Sequence, residues 1–203
     1  TLFTSPGACS RASHIALEES GLAFEVRLID FGKAEQRTPE FLAVNPKGRV
    51  PALATDRGVL TETPAILAYV ASLSAPGALA PTEPFAFASM QAFNAYLAST
   101  VHVAHAHRRR ASRWADDEAA QAAMSAKVPA NMRDGFTRIE SGLEGPRVMG
   151  DAYSVADPYL FTIAGWLGHD DVDLAEFPRV ADHFARMSAR PAVQRALEAE
   201  QTG

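Results

Sequence analysis

The sequence predicts a small α/β domain followed by an all-helical domain. Short strand patterns and amphipathic helices alternate over residues 1–75 in the order β-α-β-α-β-β-α, which is typical of a small mixed sheet covered by helices. A proline-rich linker over 76–84 follows, and beyond it apolar residues recur at helical spacing with no convincing strand. We therefore expect the second domain to occupy residues 85–203.

The elements of the first domain are predicted from turn and capping residues. Ser10 is a candidate N-cap, and Gly21 stands where left-handed backbone ends helices. Thr38-Pro39 is a capping residue followed by proline at the first helical position, and residues 56–58 suit a tight hairpin. The predicted elements are strands over 2–4, 24–29, 52–54 and 59–60, and helices over 10–20, from 38, and over 63–73.

The second domain is predicted to hold five helices, over 85–112, 117–143, 154–168, 177–188 and 191–199. Ser154 and Asp157 form a capping box in which Asp replaces the usual Glu. The helix after them is apolar on most faces, which indicates the buried centre of the domain. We interpret Asp157 as a structural residue and assign it no catalytic role.

Composition favours a globular cytoplasmic protein. The length of 203 residues suits one large domain or two small ones. Because 47% of the residues are hydrophobic and 21% are charged, a packed core is expected. The formal net charge of −5 argues against a general nucleic-acid binder. No apolar run reaches about 18 residues, so no membrane span is predicted. A single cysteine cannot form an internal disulfide, which fits a reducing compartment.

The stretch Asn45–Leu53 and the helix start at Glu62-Thr63 together predict a binding site for a peptide. An extended segment halted by Pro51 leaves backbone donors and acceptors open, and a hairpin then leads to a helix N-terminus that favours negative charge. A small peptide with a free carboxylate fits such a place.

The lone cysteine, Cys9, lies in a turn just before the first helix. Free cysteines are often small buried apolar residues, but helix N-terminal amides and other donors favour a thiolate, and here Ser10 and Arg11 would supply the amides. The turn and the helix start favour an active-site position for Cys9.

These motifs resemble a known family. Residues 5–10, 45–51, 61–63, 154–161 and Arg190-Pro191 appear in the order found in cytosolic glutathione transferases, and the chain is most similar to the bacterial beta class. The resemblance covers nearly the whole chain. It implies a thioredoxin-like N-terminal domain, an all-α C-terminal domain, a homodimer, a cytoplasmic role in detoxification, and glutathione as co-substrate without a metal.

The resemblance also implies roles for individual residues. Pro51 resembles the family's cis-proline, and Val50 would hydrogen-bond the cysteinyl unit of glutathione. Glu62 and Thr63 resemble the pair that holds the γ-glutamyl end. Cys9 resembles the beta-class cysteine beside the glutathione sulfur, where it either stabilises the thiolate or forms a mixed disulfide.

The sequence departs from the family pattern at two positions, and the resemblance suggests further candidate residues for the site. Thr4 stands where beta-class relatives often carry tyrosine, and Thr63 where relatives show serine or glycine; the Thr63 hydroxyl can still donate. Arg49 and Lys33 are candidates for the glycine carboxylate of glutathione. His102 resembles the beta-class histidine and is the second catalytic candidate. The predicted pocket for a small hydrophobic electrophile comprises Asn94, Ser99, His102 and Trp166.

The sequence around residues 102–113 contains a histidine cluster and a basic run, and three interpretations of the basic run stay open. His102, His105 and His107 invite a metal site, but no carboxylate or cysteine lies nearby at a recognised zinc spacing, so no metal is predicted. The arginines at 108–110 and 113 form either a solvated helix end, an anion-attracting surface at the cleft, or salt bridges across a dimer.

Three functions are compatible with these features. The first is conjugation of glutathione to small apolar electrophiles, with thiol–disulfide reductase activity as a second outcome of the same site. The second is a specialised glutathione-dependent dehalogenase, ether-cleaving enzyme or isomerase. The third is a non-catalytic interaction protein, which the presence of Cys9, Glu62 and Thr63 disfavours.

Overall fold

The computed structural model describes residues 1–201 and confirms the predicted fold class. Its strands are β1 Leu2–Thr4, β2 Val26–Leu28, β3 Ala52–Thr55 and β4 Gly58–Thr61. Its helices are α1 Ser10–Ser20, α2 Pro39–Val44, α3 Thr63–Leu73, α4 Pro84–Tyr96, α5 His102–Arg110, α6 Glu118–Gly142, α7 Ala156–Ala164, α8 Pro178–Ser188 and α9 Pro191–Gln201. The predicted second domain runs to 203, and its last two residues lie outside the described residues.

The sheet has the thioredoxin-like order β2-β1-β3-β4. Strand β1 pairs in parallel with β2 through the α1 crossover, whereas β3 is antiparallel to both β1 and β4. In the antiparallel pair Phe3 lies opposite Ala52, so the last residues of β1 and the first residues of β3 lie at the same end of the sheet. This pairing brings the turn that carries Cys9 next to the segment that carries Val50.

One hydrophobic core joins the two domains. Leu2 and Ile66 of the first domain belong to the same buried cluster as Met90 and Leu160 of the second. Helix α1 packs against α3 of its own domain and against α7 and α9 of the helical domain. Every residue of α7 is buried, which confirms the prediction that this helix is the centre of the second domain. Both walls of the cleft between the domains are therefore anchored in one core.

Asp157 has the structural role that the sequence predicted. It is buried, its carboxylate accepts hydrogen bonds from the Ser154 and Val148 backbone amides at 2.8 and 2.9 Å, and the His183 ring lies 3.0 Å from the same carboxylate. The Ser154 hydroxyl in turn accepts from the Ala156 amide at 3.3 Å. These bonds fix the start of α7 and leave Asp157 no access to the cleft.

Helix α4 and helix α5 replace the single helix predicted over 85–112. They are separated by one π-helical turn over Leu97–Val101, in which the Ser99 hydroxyl donates to the Ala95 carbonyl at 2.8 Å. Such side-chain bonds compete with the regular ladder, and π turns in helices are frequent next to functional residues. The residue that follows this turn is His102.

Two further local features differ from the prediction, besides shifts of one or two residues at several element ends. Cys9, rather than Ser10, is the N-cap residue of α1, because the Ser10 hydroxyl is turned inward and accepts from the Thr4 hydroxyl at 2.8 Å. The helix predicted over 154–168 ends at Ala164, and a short 3-10 turn over Leu167–Asp170 follows.

Within residues 1–201, no helix has both the length and the apolar character that a membrane span requires.

Candidate functional site

A cleft between the domains contains two adjoining cavities, of about 570 and 160 Å³. The larger lies between the turn after β1 and helix α5, and the smaller reaches the start of α3. Residues that line both are Cys9, Arg49, Val50, His102 and Arg113. The Cys9 thiol therefore lies where the two cavities meet, and the volume of the larger cavity is that of a small-molecule site.

The turn that carries Cys9 has a defined backbone conformation, which local hydrogen bonds stabilise. Gly7 has a φ of +69°, a left-handed conformation that favours glycine, and the Ala8 amide donates to the Ser5 carbonyl at 3.1 Å. The Arg11 amide donates to the Ala8 carbonyl at 3.1 Å, so it does not point at the sulfur site as predicted. The hydroxyl of Thr4 is also directed away from the cleft, toward Ser10.

Cys9 is a protonated thiol in this environment. Its S–H group donates to the Val50 carbonyl, with sulfur and oxygen 3.6 Å apart. Burial raises the pKa of the Cys9 thiol, and this effect outweighs the hydrogen bond from Thr63 and the charge of Arg110, which both lower it. Because the thiolate is the reactive form, Cys9 is a weak nucleophile at neutral pH. Its S–H group is a hydrogen-bond donor that an incoming acceptor would draw away from the Val50 carbonyl.

Val50 presents an open backbone group to the cleft. The Val50–Pro51 peptide bond is cis, as the resemblance implied. Among the hydrogen bonds of residues 1–201, none uses the Val50 amide as donor. The loop before it is braced by Asn45, whose side chain donates to the Arg49 carbonyl at 2.7 Å and accepts from the Lys47 amide at 3.2 Å.

Glu62 and Thr63 form the far end of the smaller cavity. Glu62 precedes α3 with a φ of +72°, an unusual backbone conformation for a residue other than glycine. Its carboxylate is exposed and accepts from Lys47 at 2.6 Å, while Thr63 is buried and is the first residue of α3. Lys47 was assigned no role from the sequence; it partly neutralises the carboxylate predicted to meet the ligand's ammonium group.

His102 and Trp166 lie together at the helical wall of the cleft. Their ring centroids are 4.9 Å apart in an edge-to-face arrangement, and His105 stacks on Trp166 at 4.3 Å. The His105 ring nitrogen Nδ1 lies 2.7 Å from the carboxylate of buried Asp170. Burial, and then the positive charge of Arg110, lowers the pKa of His102 to about 3, so its imidazole is neutral at physiological pH.

Two long-range hydrogen bonds attach this wall to the cysteine turn. The Trp166 indole N–H donates to the Gly7 carbonyl at 2.9 Å, and the Gly7 amide donates to Glu200 at 3.1 Å. Glu200 also receives two N–H groups of Arg11, the shorter at 2.6 Å. Glu200 could not be identified from the sequence, because a glutamate near the end of a distant helix belongs to no local motif.

Three predicted site residues lie elsewhere. Lys33 is exposed and pairs with Asp30 at 3.2 Å, Asn94 is fully buried within the helical domain, and the exposed Ser99 bonds its own helix. Over the described residues 1–201, none of the three lines either cavity. Helix α4 turns Asn94 into the core of the helical domain, and Ser99 lies on the exposed side of the π turn, so neither side chain faces the cleft.

The larger cavity is strongly basic. The residues lining it include six arginines and three histidines, and within the described chain no aspartate or glutamate joins them. Its apolar wall is formed by Pro6, Phe31 and Trp166. In residues 1–201 no group of three or more metal-ligating side chains is found. The cleft thus offers donors, cations and an apolar surface.

The chain was compared with known proteins. A family model described as the N-terminal domain of glutathione S-transferase matches residues 1–72. Over 202 residues, 98% of each chain, the sequence is 33% identical to "Glutathione S-transferase GST-4.5" of Xanthomonas campestris pv. campestris.

Solved structures agree with these matches. A glutathione transferase homologue from Sulfitobacter with bound glutathione has a TM-score of 0.94 and 44% identity, covering 98% of this chain and 96% of that one. A beta-class glutathione S-transferase from Sphingomonas chungbukensis has a TM-score of 0.84 and 35% identity, covering 98% of each chain. The fold and the cleft thus define a glutathione-dependent transferase. The chain belongs to the glutathione S-transferase family and is similar to its bacterial beta class.

The low pKa of His102 predicts a pH-dependent contribution to stability. Between its ordinary value of 6.5 and about 3, the unfolded chain binds a proton at this histidine that the folded protein does not, so stability falls as pH falls through this range. His102→Gln removes that loss. We expect the free energy of unfolding, measured with urea, to shift in favour of the variant by about 2 kcal/mol between about pH 7 and about pH 5. Parallel pH dependences of the two proteins would contradict this assignment.

Proposed function

We propose that the protein binds glutathione in the cleft with its sulfur beside Cys9 and conjugates it to small electrophiles. The main support is the convergence of the Cys9 thiol, the open Val50 amide and the start of α3 on the smaller cavity. Val50 would hydrogen-bond the cysteinyl unit, and Glu62 and Thr63 would hold the γ-glutamyl end. Arg49, which lines both cavities, would bind the glycine carboxylate. Lys33 is withdrawn from that role, since it lies away from the cleft.

The conjugation step would use an environment rather than a strong base. The glutathione thiol gives its proton to solvent, and the thiolate is stabilised by hydrogen-bond donors and by the positive charge of nearby arginines. Neutral His102 can donate an N–H but is too weak a base to hold the proton. The sulfur then forms a bond to the electrophilic carbon, and the leaving group departs with its electron pair. Holding both reactants in the cleft supplies much of the rate enhancement.

Cys9 would act in this reaction as a hydrogen-bond donor to the glutathione sulfur. Its raised pKa keeps it protonated, which supports this role over that of a partner in a mixed disulfide. A hydrogen bond to a charged acceptor contributes about 1.5–3 kcal/mol, which corresponds to a change of about one to two units in the pKa of the bound thiol.

The experiment that tests the function combines conjugation with titration. Wild-type protein should be retained on immobilised glutathione and should conjugate chlorodinitrobenzene; absence of both would refute the function. Cys9→Ala should raise the pKa of the bound glutathione thiol by about one to two units, because one hydrogen-bond donor is lost. The titration is monitored by the absorbance of the thiolate. Cys9→Ser, which keeps a hydroxyl donor, is the matched control with a smaller shift. Equal pKa values in all three proteins would refute the donor role.

We further propose that the protein works as a cytoplasmic homodimer in detoxification. Phe85 of α4 is 78% exposed and Phe87 is 36% exposed, and the edge strand β4 exposes Val59, so apolar surface is available for a second copy. A reducing compartment would keep Cys9 free. Light scattering should give about twice the 21.7 kDa chain mass, with Phe85→Glu shifting it toward one chain. A wild-type protein that scatters as one chain would contradict the dimer.

A further inference from the structure

The larger cavity has a charge opposite to that of the chain as a whole. The protein carries a formal net charge of −5, yet the cavity is lined by six guanidinium groups and, within residues 1–201, by no carboxylate. The six are Arg37, Arg49, Arg108, Arg109, Arg110 and Arg113. Chance distribution of surface charge does not explain such a concentration, since like charges held together destabilise the protein.

Within residues 1–201 most of these charges have no ion-pair partner. Arg108 forms an ion pair with Asp171. In the part of the chain that the structure describes, none of the other five arginines takes part in a salt bridge. Burial, and then the positive charges of Arg110, Arg49 and Arg37, lower the pKa of Arg113. The cavity therefore presents an unsatisfied site for anions.

Glutathione alone does not account for this charge. Its glycine carboxylate needs one cation, and Arg49, with Arg37 close to Gly48 of the same loop, is on the side of the cleft where that end would lie. The remaining arginines come from α5 and the turn after it, on the opposite wall. Arg110 is near enough to Cys9 to affect the pKa of its thiol. Arg108, Arg109 and Arg110 line only the larger cavity, whereas Arg113 lines both. The second set therefore faces the place of the electrophile, with Arg113 at the boundary between the two cavities.

The shape of the wall limits the anion further. Trp166 and Phe31 contribute aromatic surface to the same cavity, so an apolar ring fits beside the charged wall. A guanidinium group has a planar fork of donors that matches a carboxylate with two parallel hydrogen bonds.

We propose that the preferred electrophile carries a carboxylate, held by Arg109, Arg110 and Arg113 while its ring or unsaturated body lies against Trp166. This inference rests on the proposed function and names the substrate class of the same site. It replaces a purely hydrophobic electrophile with an anionic one that has an apolar body. Such a substrate is drawn into the cleft by a field that weakens with salt.

The reaction that tests this is a substitution on matched rings. 4-Chloro-3,5-dinitrobenzoate and its methyl ester react at the same carbon: the glutathione sulfur forms a C–S bond there, chloride leaves with the bonding pair, and the thiol proton goes to solvent. At saturating glutathione we expect kcat/KM for the benzoate to exceed that for the ester at least about tenfold, after correction for the uncatalysed rates. The ratio should fall as ionic strength rises.

Two variants distinguish the effect of the arginines in the cavity from the effect of the protein's overall charge. Arg110→Gln should lower the benzoate-to-ester ratio about tenfold, because a charged hydrogen bond to the carboxylate is lost. Arg138→Gln is the matched control, since this exposed arginine on α6 pairs with Asp134 outside the cavity and should leave the ratio unchanged. Conjugation of the ester as fast as the benzoate, or an unchanged ratio in Arg110→Gln, overturns the anionic preference while the transferase function stands. Conjugation of neither compound, without retention on immobilised glutathione, overturns both.

Discussion

The backbone of Gly7 ties the cysteine turn to the helical domain, and the arrangement of the site depends on it. The Gly7 carbonyl accepts from Trp166 and the Gly7 amide donates to Glu200, so both backbone hydrogen-bonding groups of this residue are used by the helical domain. Glu200 is 9% exposed and also binds Arg11, the second residue of α1. An unpaired buried group would be costly, so these bonds fix the cysteine turn against the far wall. Cys9 thereby gains a position that the first domain alone does not define.

The cleft contains two uncharged side chains, Cys9 and His102, next to a wall of positively charged arginines. Burial keeps the Cys9 thiol protonated and the His102 imidazole uncharged, so neither is suited to take a proton from glutathione. The arginines of the larger cavity supply positive charge instead, and they favour whatever anion enters. In this account the thiolate is formed because its surroundings stabilise it, and substrate choice follows from the same charges.

Much of the fold followed from local patterns in the sequence. Thr38 caps α2 with Pro39 at its first position, the hairpin joins β3 and β4 as its spacing predicted, and Asp157 is buried at the start of α7. Each of these features is decided by residues that are neighbours along the chain. The backbone of residues 45–51 belongs to the same group, since Asn45 braces its own loop.

What could not be predicted depends on contacts between distant segments. The π turn before His102 contains neither proline nor glycine, so the local sequence did not distinguish it from the predicted regular helix. Neither Asn94 nor Ser99 lines the cleft. The inward turn of the Ser10 hydroxyl depends on Thr4 of the preceding strand, which moved the helix cap to Cys9. The arginine run was visible in the sequence, but its three interpretations stayed open until the cavity showed which side of the helix faces the cleft.

The position of the glutathione sulfur is the central claim, and a crystal structure of the complex measures it directly. The account predicts the sulfur within hydrogen-bonding distance of the Cys9 thiol and the cysteinyl backbone bonded to the Val50 amide. A complex in which the tripeptide lies outside the cleft, or in which its sulfur points away from Cys9 toward solvent, would contradict the account.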